Sequence, residues 1–160
     1  MGGSSGDAPG ARRFDPASEG WTMTPEGRFA GQIGPIWRKH LDDGEAVGIV
    51  IDERHLNRYG VTHGGVLVAL FDESLGPPGY AAAGQDAQIA TVHMGSLLLH
   101  ASGPGHFVVA VSQVTRRSAT LLFARGECRI GDTIIMTGEA VIKIRRSLPG
   151  WTAPESPPRS

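Results

Sequence analysis

Absences narrow this chain first. One cysteine in 160 residues excludes an intrachain disulfide and a multi-cysteine zinc site. Neither sign of charge dominates: 15 Lys and Arg stand against 16 Asp and Glu, without the basic stripe of a nucleic-acid binder. No apolar run reaches the length of a membrane-spanning helix, about 20 residues. The start, Met1 to Ser18, is rich in Gly, Ser and Ala but lacks the apolar centre of a secretory signal. The expected location is therefore the cytoplasm, with no membrane partner. No Gly-x-Ser-x-Gly elbow of a serine hydrolase is present, and no phosphate-cradling Gly-rich loop with its Lys. The histidines at 40, 55, 63, 93, 100 and 106 include no pair at the short spacing of zinc ligands, so no metal is expected. Cys128 sits in an apolar, strand-like run and reads as a buried, inert thiol.

What is present suffices for one domain. A hydrophobic content of 40% supports a real core. Residues 1–28 read as a disordered N-terminal segment, with Gly, Pro and Ser and no periodicity. Residues 147–160 read as a disordered Pro-rich tail in which Trp151 is the one candidate for docking. The ordered domain spans 29–146. Gly34 to Leu41 and Gly44 to Ile51 form two strands around Asp42-Asp43-Gly44. A helix follows from about 63 to 75, apolar nearly all round from Val66 to Phe71 and hence buried. Pro77 and Pro78 cannot continue a helix interior, so the helix is expected to end by Gly76. Four more strands cover Gln88 to Leu99, His106 to Thr115, Ala119 to Ile130 and Thr133 to Ile144. Their short connections imply antiparallel neighbours. The fold class is α+β: one antiparallel sheet wrapped around a central buried helix.

The chemistry concentrates in Asn57-Arg58-Tyr59-Gly60-Val61-Thr62-His63-Gly64-Gly65, followed by Asp72. A helix opening carries unpaired N–H groups and the positive end of the dipole, and glycine there admits a ligand close to the backbone. An acid among Val, Leu, Ala and Phe is costly unless it is paired, solvated or functional. Gly64 and Asp72 are about 12 Å apart along one helix axis, whereas an oxyanion donor must sit about 3 Å from the developing charge. One copy of the helix cannot supply both groups to one carbonyl, so a catalytic role predicts a homodimer with shared sites. Each residue also has a plain structural reading. Asp72 is then a solvent-facing helix acid, His63 a helix-start residue behind a Thr62 cap, Asn57 a turn former and Thr91 an ordinary strand residue.

This element order and motif resemble the hotdog-fold acyl-CoA thioesterases, most nearly the phenylacetate-pathway and 4-hydroxybenzoyl-CoA thioesterase group. The resemblance rests on Asn57, Gly60, His63-Gly64-Gly65, Asp72 nine positions after the histidine, and the strand Ala90-Thr91-Val92-His93-Met94. It covers roughly Gly31 to Arg145. It implies hydrolysis of a small, medium or aromatic acyl-CoA to acid and coenzyme A, with no cofactor because coenzyme A is part of the substrate. Asp72 would be general base or nucleophile, and the resemblance leaves both routes open. Gly64, with Gly65, would polarise the carbonyl; Asn57 and His63 would orient the thioester or water, and Thr91 would hold the water. Arg116, with Arg117, Arg125 and Arg129, suits the phosphates of coenzyme A; its plain reading is solvated edge charge. The homodimer, or a tetramer of paired dimers, is the implied assembly. The rivals are a hotdog acyl-thioester hydratase or dehydratase and a non-catalytic acyl-CoA-binding protein.

Overall fold

A computed structural model describes residues 14–25, 27–42 and 44–145. The Pro-rich tail with Trp151 and the first thirteen residues lie outside the described residues. Seven strands and two helices follow in the order β1 (Thr22–Thr24), α1 (Arg28–Ile33), β2 (Ile36–Leu41), β3 (Gly44–Val50), α2 (Gly64–Ala83), β4 (Gln88–Leu98), β5 (Phe107–Arg117), β6 (Leu121–Ile130) and β7 (Thr133–Arg145). The strands form one antiparallel sheet in the order β1-β2-β3-β5-β6-β7-β4. The hairpins β2–β3, β5–β6 and β6–β7 follow chain order. Residues 51–106, α2 and β4 included, form the long excursion that carries β4 to the far edge.

α2 lies against one face of this sheet. It buries Leu67, Leu70, Phe71, Ser74 and Leu75, the spacing of a single helix face. Phe71 is the deepest contact. Gly126 and Gly138 are partners across β6 and β7. A Cβ on either would press into the Phe71 ring, at 2.9 Å from Gly126 and 2.6 Å from Gly138. Two glycines thus cut a trough in the sheet that only a bare backbone leaves open. Leu122, Ala124, Cys128, Met136, Ala140 and Ile142 complete the core around it.

The helix does not end at Gly76. It continues through Pro77 and Pro78 to Ala83, which corrects the expected stop. Proline at 78 removes the N–H that would bond the Ser74 carbonyl. The Ser112 hydroxyl on β5 donates to that carbonyl instead, at 2.6 Å. At the helix end the Arg117 guanidinium donates to the Ala82 carbonyl, at 2.5 Å. Contacts from β5 thus satisfy groups that the prolines and the terminus leave open.

The N-terminal region also departs from expectation. Residues 14–25 carry a short 3-10 turn (Pro16–Glu19) and β1, which pairs with β2. Phe14 stacks on Phe107 with ring centroids 4.8 Å apart, and Trp21 meets the same ring edge-on at 4.9 Å. Phe107 in turn covers Gly48. Isolated aromatics without periodicity gave no sign of this packing. No helix among the described residues is long and apolar enough to cross a membrane.

Candidate active site

The turn before α2 is fixed from several sides. Asn57 Oδ1 accepts the Tyr59 amide at 2.8 Å, the Asn57 amide donates to the Val61 carbonyl, and the Gly60 amide donates to the Asn57 carbonyl. Gly60 has φ +76°, a conformation that favours glycine. Thr62 is buried; its hydroxyl accepts from Ser102 at 2.7 Å, and its amide donates to the Ser102 carbonyl. The His63 amide donates to the carbonyl of the buried His55. The His55 ring is itself held between the Asp52 amide and the Ile33 carbonyl, each at 2.9 Å.

His63, not Thr62, is the N-cap of α2: its Nδ1 accepts the Gly65 amide at 2.9 Å. With Nδ1 accepting, the neutral ring carries its proton on Nε2, which makes that nitrogen a donor. The same bond occupies the Gly65 amide, so of the two glycines Gly64 is the one whose first-turn N–H the helix leaves without a partner. Asn57 acts as the turn former, with its Oδ1 holding the Tyr59 amide, and its side-chain Nδ2 is a further donor.

Asp72 is exposed on α2, with Thr91 Oγ1 donating to its Oδ1 at 2.8 Å. The pairing of β4 with β7 shifts register between Thr91 and His93, next to the residue that bonds Asp72. The bond fixes one carboxylate oxygen. No hydrogen bond among the described residues engages Oδ2, the atom available to a water or a carbonyl carbon.

Asp72 opens into a cleft of about 950 Å³ between α2 and the strands β2, β3 and β5. Glu73, Gly76, Pro77, Pro78 and Tyr80 form its helix wall, and Arg38, Glu45, Ser112 and Gln113 face them. Arg38 bridges Glu45 at 3.0 Å and Glu73 at 3.5 Å. Asn57, His63, Gly64 and Arg116 are not among the lining residues. One chain therefore holds an acid with its cleft at one place and a donor group at another, both on α2.

The motif did not reveal Arg38, Glu45 or Ser112. The available signal was polarity: Ser112 and Gln113 end the apolar run Phe107–Val111 of one strand, and Arg38 follows Trp37 in another. Arg116 is exposed beyond the cleft, and Arg117 serves the end of α2. Arg125 and Arg129 line a second depression, of about 1070 Å³, with Glu127 and Glu139, and Arg129 is paired to Glu127. Cys128 is fully buried. Burial, followed by the neighbouring Glu127 charge, pushes its thiol up to about 12, as expected of an inert core cysteine.

No protein-family model matches the sequence, and a search of curated proteins finds no match. Solved structures do match. A conserved protein of Pseudomonas aeruginosa is 25% identical, covering 75% of this chain and 95% of that one, with a TM-score of 0.69. A mutant form of the phenylacetic acid degradation protein PaaI from Thermus thermophilus is 20% identical, covering 72% and 96%, with a TM-score of 0.63. A thioesterase of Haemophilus influenzae is 18% identical, covering 72% and 82%, with a TM-score of 0.62. The chain has the hotdog fold of these proteins, and they include the phenylacetate group that its motif resembles.

Proposed function

We propose that this hotdog-fold chain is a thioesterase that hydrolyses acyl-CoA, with small, medium or aromatic acyl groups, to the free acid and coenzyme A. The observation that carries this reading is the exposed Asp72 carboxylate. It is held through one oxygen by Thr91 and opens on a cleft, on the helix whose first turn offers the Gly64 amide and the His63 ring. Water attacks the thioester carbonyl carbon while Asp72 takes its proton. The carbonyl oxygen, now negative, lies against the Gly64 amide and the His63 Nε2–H. The C–S bond then breaks, and the proton returns to the departing thiolate. In the alternative route Asp72 attacks the carbonyl itself, expels the thiolate and leaves an anhydride for water to open.

Both routes need the donor end of a second copy. Support for shared sites comes from β4, which among the described residues pairs with β7 alone and bears Val92, Leu97 and Leu98 at 59%, 66% and 56% exposure. Long apolar edge strands are hazards that monomers blunt; here the edge runs beside both functional positions. Thr91 touches Asp72, and Leu98 lies against Gly64, 2.7 Å from where its Cβ would stand. Pairing through β4 in a homodimer would cover the edge.

Thiol release from a panel of short, long, branched and aromatic acyl-CoAs tests the activity. Asp72→Asn is expected to lower the rate by about 10²-fold or more, and near-wild-type turnover would remove the assignment. A change in enoyl absorbance without thiol release would assign a hydratase instead, and tight binding without turnover a carrier. Sharing of sites is tested with Gly64→Pro, which deletes the amide donor at a helix position that tolerates proline, the exposed Leu98 side chain having to turn aside for the added Cβ. Mixed with Asp72→Asn under subunit exchange, it should restore about a quarter of the sites if they lie across a two-fold interface. Exchange without recovery would count against shared sites.

A further inference from the structure

We infer that His55 is a positioning residue for the donor end of the site: its buried ring closes the turn at residues 52–55, and its carbonyl thereby aims the His63 and Gly64 backbone. This rests on the reading of that end of α2 as the donor for thioester hydrolysis.

His55 is a buried imidazole that takes no part in the chemistry proposed above. Both of its ring nitrogens are engaged. The Asp52 amide donates to Nδ1, and the Ile33 carbonyl stands at Nε2, each at 2.9 Å. An amide N–H only donates and a carbonyl only accepts, so the backbone on either side sets the tautomer, with Nδ1 bare and Nε2 protonated. Asp52 Oδ1 also lies 3.2 Å from Nδ1, but it accepts the Arg54 amide at 3.1 Å. The ring thus closes the 3-10 turn Glu53–His55 on one side and ties it to the end of α1 on the other. The Arg54 guanidinium adds a second tie there, to the Gly34 carbonyl.

The effect reaches the site through the main chain. Peptide units are planar, so only φ and ψ of His63 set one of its flanking planes against the other. The His55 carbonyl accepts the His63 amide at 2.8 Å and fixes the plane before His63. The His63 carbonyl accepts the Val66 amide at 2.9 Å and fixes the plane after it, which carries the Gly64 N–H. The second bond lies within the helix opening, whereas the first depends on His55. The His63 ring hangs from the same Cα, so a tilt of the 52–55 turn moves ring and amide together. Misplacement of about 1 Å in such a site costs on the order of 10²-fold in rate.

Three substitutions separate positioning from plain support of the fold. His55→Leu removes both ring bonds. His55→Asn places Oδ1 as many bonds from Cβ as Nδ1 is and keeps the acceptor for the Asp52 amide. His55→Gln places Nε2 as many bonds away as the ring Nε2 and keeps the donor to Ile33. Each full-length variant is assayed on the acyl-CoA that the wild type hydrolyses fastest. In His55→Leu, kcat should fall by about 10²-fold with KM within about threefold of wild type. His55→Asn should recover all but about threefold of kcat, and His55→Gln should stay at least about tenfold below wild type. A folded His55→Leu with kcat within about threefold of wild type, or with its loss in KM alone, overturns this inference and leaves the thioesterase intact. If His55→Leu does not fold, Asn against Gln decides, and a Gln variant as fast as the Asn variant overturns it. An Asn variant that does not fold also overturns it, since the retained bond would not hold the turn. No acyl-CoA hydrolysis by the wild type overturns both readings.

Discussion

The two halves of α2 are built on opposite plans. From Gly64 to Leu75 the helix is an anchor: Leu67, Leu70, Phe71 and Leu75 are buried, and Phe71 fills the trough cut by Gly126 and Gly138. From Gly76 to Ala83 only Gly79 is buried, two N–H donors are missing, and the exposed side becomes a cleft wall. Asp72 sits where the plans meet. A group at such a boundary has a packed backbone behind it and open space ahead, the placement that the proposed role of Asp72 calls for.

The sharpest way to break this contrast is to empty the trough. Phe71→Ala should cost about 3–5 kcal/mol, read as a lower midpoint in denaturant. Loss of less than about 1 kcal/mol would show that the anchor lies elsewhere. The next effect is pH-dependent. Burial raises the Cys128 thiol from 9.0 to about 12, so the folded state holds its proton where the unfolded chain releases it. Stability from this group is complete below pH 9.0 and falls as pH rises from there toward about 12, by on the order of 1 kcal/mol in the first unit. Comparing denaturation midpoints of wild type and Cys128→Ala at mildly and strongly alkaline pH checks this, since the variant should lack that part of the slope.

Ser112→Ala probes the second half, because it strips the Ser74 carbonyl of its partner. A loss of about 1–2 kcal/mol is expected, with faster amide exchange past Pro78 than in the first half. An unchanged exchange pattern would mean that the prolines need no such support. Gly76→Ala is the smallest effect. Beyond its chain neighbours the added methyl meets nothing closer than 3.9 Å; the helix propensity of alanine, about 0.5–1 kcal/mol, is offset by the clash of a Cβ with the Cδ of Pro77 in a helical conformation, so a net change of less than about 1 kcal/mol is expected. A larger loss would contradict the open cleft wall.

How far the sequence reached depends on the range of the interaction involved. Strand and turn placement from residue 88 onward was legible, because alternation and Gly- or Ser-marked turns are local; strand ends fell within two residues or so of expectation. The glycines of the trough carried a signal that went unread, since glycine inside a strand marks a close approach. Proline at 77 and 78 was read by its local rule. The rule failed because a hydroxyl 38 residues after Ser74 takes the orphaned carbonyl. Phe14 and Trp21 could not be paired with Phe107 from their own neighbourhoods. At the candidate site, the helix opening at His63 and Gly64 was legible from the sequence. The occupation of the Gly65 amide by His63 was not, and neither was the Arg38 bridge to Glu73.

The sequence by itself determined the antiparallel strands, the buried helix and the spacing of about 12 Å along it between its first turn and Asp72. Those follow from backbone geometry and from periodicities that span a few residues. Tertiary structure decided the length of the helix, the use of Thr91 to hold Asp72, and the charged wall opposite Gly76. Each depends on groups from different elements meeting at hydrogen-bond distance. Such meetings are set by how the sheet curls around Phe71, and no short stretch of chain encodes that curvature.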